Sequence, residues 1–254
     1  MTAPDRFLGR AGVYAQARPR YPDALGAWLA ERNLLAGGVA DVGAGTGLFT
    51  RLLLRHAAQV HAVEPNPEMR ARLAEELADQ AAAGQLTVHD GTSEATGLPE
   101  KCVSLVTAAQ AAHWFKPEPT VREFRRILRP GGHVLLVWND WRGEDTPFNV
   151  AYGEAVARFT EPGVPQLATR VPEAELPQFM PGGFERVMFE NPLPLTRERL
   201  HALAASVSYL PSPEDAAYPA MTQALDALFG AYQQGGTVTL AYRTHAFAGR
   251  LDTP

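Results

Sequence analysis

The chain has 254 residues, of which 46% are apolar and 20% charged, enough for one large α/β domain with a buried sheet. Its formal net charge of −5 argues against a broad phosphate-binding surface, and hence against nucleic acid as a partner. Cys102 is the single cysteine, which excludes an intrachain disulfide and a cysteine-rich zinc site and suits a reducing compartment.

Residues 1–12 lack the apolar core of a signal peptide, and no stretch approaches membrane-spanning length, so a soluble cytoplasmic protein without membrane contact is expected. Residues 14–22, Tyr-Ala-Gln-Ala-Arg-Pro-Arg-Tyr-Pro, lead into a helix over 23–32. A strand over 38–42 then breaks on three alternate glycines, Gly43, Gly45 and Gly47, and the chain restarts as a helix over 48–56. A turn bare of side chains at alternate positions admits a ligand to the backbone, and the N–H groups opening a helix favour the ligand's polar or negative end. The next strand, 60–63, ends in Glu64, where an acidic side chain can accept from the two hydroxyls of an adenosine ribose. Helix 67–83, strand 86–89, strand 103–109, helix 120–128 and strand 133–139 follow, which makes five parallel strands, each apolar enough to be covered on both faces.

After Trp141 the texture changes. Prolines at 147, 162, 165, 172, 177, 181, 192 and 194 interrupt any long helix, so this stretch reads as lid and loop rather than a separate domain. A strand over 184–189, helices over 197–207 and 214–231, a Gln-Gln-Gly-Gly turn and a strand over 237–247 close the chain.

The glycine spacing separates nucleotide classes. A dinucleotide fold needs G-x-G-x-x-G, and Leu48 stands where its third glycine would be. Asp41-x-Gly43-x-Gly45-x-Gly47 instead resembles motif I of the class I S-adenosylmethionine-dependent methyltransferases. Glu64-Pro-Asn-Pro-Glu-Met69 is similar to the acidic second motif of that family, residues 91–99 to its adenine-flanking loop, and residues 129–137 to the turn and strand closing its core. Residues 108–115, Ala-Ala-Gln-Ala-Ala-His-Trp-Phe, together with segment 14–22, resemble the small-molecule subgroup that includes trans-aconitate methyltransferase-like proteins. The resemblance implies a Rossmann-like, seven-stranded, mostly parallel sheet with helices on both faces and an antiparallel last strand. It also implies S-adenosyl-L-methionine as cofactor and a small-molecule acceptor, a carboxylate or hydroxyl foremost. In these terms residues 1–37 are a cover segment and first helix, 38–140 the cofactor-binding core, and 141–254 lid insertions plus strands completing the same single-domain sheet.

In that family the turn of Gly43, Ala44, Gly45 and Gly47 holds the aminoacid tail of the cofactor, with Glu64 and Pro65 at the ribose. Asp41 either faces the cofactor ammonium, directly or through water, or braces the turn. Thr92, Ser93 and Glu94 either hold the adenine or form a turn and helix cap. Gln110 follows the fourth strand, where the family offers polar groups to the cofactor tail or substrate. His113 is either the general base for a hydroxyl or amine, or a packed structural residue; a carboxylate acceptor needs no base. Trp114, Phe115 and Trp141 are candidates for an aromatic wall around the acceptor and sulfonium, with sheet and helix packing as the alternative, while Trp138 reads as core. Tyr14 and Arg18 either belong to a cover, Tyr14 toward the cofactor and Arg18 toward an acceptor carboxylate, or to an arm packed on the sheet.

There is no Asn/Asp-Pro-Pro-aromatic motif for a base amine, no cysteine pair for cytosine C5 chemistry and no His-Asp-Glu cluster at metal-ligand spacing, so no metal is expected. Two rival functions remain open: a non-catalytic module that binds S-adenosylmethionine or its demethylated product, and a nucleotide-dependent oxidoreductase, which Leu48 disfavours. Oligomeric state is not legible from the sequence.

Overall fold

The structure, a computed structural model, describes residues 19–142, 145–160, 170–207 and 209–252; Tyr14 and Arg18 lie outside them. In chain order the elements are α1 (Asp23–Glu31), β1 (Val39–Val42), α2 (Leu48–Leu53), β2 (Val60–Val63), α3 (Pro67–Glu76), α4 (Ala78–Ala82), β3 (Leu86–His89), β4 (Val103–Ala109), α5 (Pro117–Ile127) and β5 (Leu128–Trp141). Then come α6 (Pro147–Ala157), β6 (Phe184–Glu190), β7 (Leu193–Leu195), α7 (Arg197–Ala205), α8 (Tyr218–Tyr232), β8 (Val238–Leu240) and β9 (Tyr242–Gly249). Short 3₁₀ turns occupy Ala112–Trp114 and Glu173–Gln178.

These residues form two compact units. The first comprises residues 20–138, 170–189 and 244–252, and the second residues 19, 139–142, 145–160, 190–207 and 209–243.

The seven-stranded sheet, in order β3-β2-β1-β4-β5-β9-β6, has β3, β2, β1, β4 and β5 parallel and its last strand in sequence, β9, antiparallel, as the family resemblance implies. Alternation along each strand sorts side chains onto two faces. Val39, Val60, Leu105 and Leu135 meet Leu25, Leu29, Leu52, Leu53, Leu73 and Leu77 of the helices on one face. Ala40, Val63, Val106 and Leu136 share the opposite face with Phe124 and Ile127 of α5 and with Leu176. Trp138 belongs to this second cluster at 1% exposure, the core position expected for it.

Several boundaries differ from the sequence expectation, among them the start of β5, at Leu128 rather than at residue 133. The helix expected over 67–83 divides at Leu77, whose backbone leaves helical values (φ −119°, ψ 27°) while its side chain is buried. Helix α5 starts at Pro117, three residues early, because proline in a first turn surrenders an N–H that no helix uses. The helix after the glycine turn stops at Leu53, one and a half turns long.

In the second unit, α6, α7 and α8 surround the antiparallel pair of β7 and β8, in the register Leu193↔Leu240 and Leu195↔Val238. Helix α6 lies within the stretch expected to be lid and loop. Pro147 begins it rather than breaking it, and the Thr146 side chain accepts from Asn149 N as the cap. The single strand expected over 237–247 divides into β8 and β9 at Ala241. There Asn149 takes both backbone groups, accepting from Ala241 N at 3.0 Å and donating to Ala241 O at 3.1 Å, so neither group is left for a ladder. Among the described residues, no helix is long and apolar enough to cross a membrane.

Candidate functional site

The glycine turn lies at the carboxyl end of β1, where ligands of open α/β sheets bind. Its first two amides are spent on the next strand: Gly43 N and Ala44 N both donate to Val63 O, at 2.9 and 3.1 Å. All three glycines have left-handed backbones, φ +71°, +57° and +84°. A Cβ on Gly43 would lie 2.6 Å from Ala111 Cβ, and one on Gly47 would lie 3.0 Å from Leu73 Cγ and 3.1 Å from Leu77 Cδ1, so these two glycines permit close packing. At Gly45 the nearest atom is Met69 Sδ at 4.0 Å, and the space beside the backbone is open. Helix α2 has six residues and no side-chain cap, and the turn's remaining glycine amides are also engaged, Gly45 N with Glu64 and Gly47 N with Ala44 O.

Two buried carboxylates stand at the ends of β1 and β2. Asp41, 1% exposed, accepts from Thr50 Oγ1 at 2.6 Å on one oxygen and from Thr107 Oγ1 at 3.0 Å on the other. Burial raises its pKa to about 6 against the pull of those hydroxyls. Of the two sequence readings of Asp41, this geometry is that of a brace between β1, α2 and β4. Glu64, 6% exposed, reaches back to the turn: Oε2 accepts from Gly45 N at 2.8 Å and Oε1 from Asn66 N at 2.8 Å. Burial raises its pKa too, opposed by the two amides and by Arg70.

Arg70 and Asn66, which the sequence analysis did not single out, fix the chain beyond Glu64. Arg70 donates to the carbonyls of Glu64 (2.8 Å) and Pro65 (3.1 Å) and pairs with Asp90 at 3.0 Å, tying the end of β2 to the end of β3. Asn66 caps α3. The loop after β3 is held from below by α5. Thr92 and Ala95 exchange backbone hydrogen bonds, Ser93 Oγ accepts from Thr120 Oγ1 at 2.9 Å and donates to Glu94 at 3.1 Å, and Thr96 donates twice to the buried Glu123. Burial works against ionising Glu123, yet Arg126 and Thr96 outweigh it and lower its pKa.

After β4, Gln110 adopts φ +56°, a conformation costing about 1–2 kcal/mol for a non-glycine residue, with its amide on Val137 O. The strained residue turns the chain so that Ala111 and Phe115 lie against Gly43. Phe115 also stands edge-on to Phe124, whereas Trp114 is 42% exposed beside the His113 ring, centroids 4.9 Å apart. Burial pushes the His113 pKa down to about 4, which makes the imidazole neutral at neutral pH. Its Nδ1 and the hydroxyl of Thr46 within the glycine turn are buried with no hydrogen-bond partner among the described residues. Trp141 belongs to the second unit, edge-on to Tyr152 at 5.1 Å. The first unit therefore brings together the turn, Glu64, Gln110, His113, Trp114 and Phe115.

These residues suit S-adenosylmethionine. A turn open beside Gly45 fits the close approach of a cofactor tail, a buried carboxylate fits paired hydroxyls, and two buried polar atoms lack partners among the described residues. Residues 40–136 match the family model described as a methyltransferase domain. The chain thus carries a methyltransferase domain, and its sheet has the strand order of the class I fold. An uncharacterised methyltransferase of Mycobacterium tuberculosis is 38% identical over 159 residues, covering 61% of this chain; the chain thus spans about 60% of that relative's length. A methyltransferase-like protein of Schizosaccharomyces pombe is 29% identical over 249 residues, 94% of this chain and 93% of its own. The fold is that of a candidate type II methyltransferase from Anaeromyxobacter dehalogenans, with a TM-score of 0.68 at 24% identity over 93% of this chain and 99% of the other.

Proposed function

We propose that this methyltransferase domain transfers a methyl group to a small-molecule acceptor, an oxygen nucleophile foremost. The observation that carries the reading is the Glu64 carboxylate drawn back onto the amide of Gly45, which joins the ribose end and the tail end of a cofactor crevice in one contact. Bound S-adenosylmethionine supplies the methyl carbon and its leaving group, so the protein's part is position and a shielded pocket. The open turn at Gly45, with Ala44 and Thr46, receives the charged tail, Glu64 and Pro65 take the ribose, and Thr92, Ser93 and Glu94 border the adenine. Gln110 lines the tail side. Trp114, exposed beside His113, meets the acceptor, while Phe115 seats the segment against Gly43. His113 is neutral, and its free Nδ1 accepts the proton of an acceptor hydroxyl; a carboxylate acceptor arrives already ionised and uses the same nitrogen only for orientation.

The likeness of residues 108–115 to the trans-aconitate methyltransferase-like subgroup supports an oxygen acceptor, and the net charge of −5 supports a substrate other than nucleic acid. The single cysteine supports a cytoplasmic setting.

Incubation with methyl-labelled S-adenosylmethionine and a panel of carboxylic acids, phenols and amines tests the proposal. Label is expected in an acid or hydroxyl compound, with hydroxyl methylation by His113→Gln reduced at least about tenfold. Label found only in RNA or protein refutes the small-molecule reading, and silence across the panel with intact cofactor binding would instead favour the non-catalytic module.

A further inference from the structure

The strand register assembles a pair of histidines that are 28 positions apart in sequence. In the parallel pairing of β2 and β3, His61 lies opposite Thr87 and Val63 opposite His89, and alternation puts both imidazoles on one sheet face. His61 Nδ1 and His89 Nε2 face each other at 3.2 Å, with ring centroids 5.3 Å apart and planes at 47°. His61 is also opposite Ala40, so this is the face that α5 covers at β4 and β5. No helix occurs between β3 and β4 to extend that cover, and both rings are half-buried. Neither ring has another hydrogen-bond partner among the described residues.

A shared proton accounts for the contact, but the same nitrogens occupy two corners of a metal site. Two imidazole nitrogens bound at about 2.0–2.1 Å with a tetrahedral angle between them stand ~3.3 Å apart. We propose that His61 and His89 chelate a divalent transition-metal ion of imidazole preference, zinc, nickel or copper, on this face of β2 and β3, with water completing the coordination. Burial lowers the pKa of both rings, that of His61 also through His89, the direction that favours the neutral imidazole a metal ion binds. Among the described residues no group of three His, Cys, Asp or Glu surrounds a common point, so the two imidazoles are the protein's whole contribution to the site. Nothing in the local sequence spacing marks it, because only the register brings the two rings together.

Calorimetric titration of untagged protein with zinc chloride, paired with electron paramagnetic resonance of added copper(II), tests the site. One ion per chain is expected, with copper(II) hyperfine structure from two imidazole nitrogens. His61→Gln and His89→Gln should each weaken binding at least about tenfold and leave one nitrogen in the spectrum. Absence of saturable binding to the wild type, or unchanged binding in both variants, overturns the proposal. Binding of S-adenosylhomocysteine by the two variants, expected within about twofold of the wild type, shows that they are folded and keeps this outcome separate from the cofactor site.

Discussion

The carboxyl ends of β1 and β2 carry the same chemistry in different surroundings. Asp41 and Glu64 are both buried acids at strand ends, and both have raised pKa values. Asp41 spends each oxygen on a threonine hydroxyl, one from α2 and one from β4, and is enclosed by the elements it joins. Glu64 takes its hydrogen bonds from backbone amides, Oε2 from Gly45 in the turn and Oε1 from Asn66 at the start of α3. The two acids are alike in burial and differ in partners, side-chain hydroxyls at Asp41 and backbone amides at Glu64.

The largest effect expected at these strand ends is in the turn. Gly43→Ala combines a left-handed backbone with a 2.6 Å clash against Ala111 and should destabilise the fold by about 2–5 kcal/mol in urea denaturation. Gly45→Ala has the backbone penalty alone, about 1–2 kcal/mol, yet should weaken S-adenosylhomocysteine binding more per unit of stability lost, because it fills the open side of the turn. Equal ratios of affinity loss to stability loss in the two variants would erase the distinction between packed and open glycines.

Next is the titration of Asp41. Its folded pKa of about 6 lies above the unfolded 3.8, so the native state holds a proton that the unfolded chain has released. Stability from this group is present below pH 3.8 and falls as pH rises through 6, by about 3 kcal/mol in total. The difference in unfolding free energy between wild type and Asp41→Asn should fall by about 2 kcal/mol from pH 4 to 7; a constant difference contradicts the assignment. His113 has the opposite sign. Its pKa is lowered from 6.5 to about 4, so the unfolded chain binds the proton first and stability is lost as pH falls through that window. The wild-type profile superimposes the two slopes, and the variants Asp41→Asn and His113→Gln separate them.

The smallest stability change is expected at Trp114. Exposed as it is, Trp114→Ala should move stability by about 0.5 kcal/mol or less and leave S-adenosylhomocysteine affinity alone while raising the acceptor KM. A matching loss of cofactor affinity would place the ring at the cofactor instead.

The sequence made the first unit's core readable where local pattern and backbone need coincide. Each of β1 to β4 matches its apolar run to within a residue, and the glycine turn falls between β1 and α2 where the break in the apolar run places it. What stayed hidden depends on distant partners. The partners of Asp41, Thr50 and Thr107, lie 9 and 66 positions away. Pro147 looks like a helix breaker until Thr146 is seen capping Asn149, and the division of residues 237–247 between two sheets depends on Asn149, 92 positions from Ala241. Thr46 stands inside the motif itself, yet only burial of its unpartnered hydroxyl marks it.

Calorimetric titration with S-adenosylhomocysteine of the wild type and of Glu64→Ala, each first shown folded by its thermal transition, tests the central claim most directly. The account predicts one site in the wild type and an affinity at least about tenfold weaker in the variant, since hydrogen bonds to a charged acceptor contribute about 1.5–3 kcal/mol. Equal affinity in the two proteins, or no binding to the wild type, would contradict it.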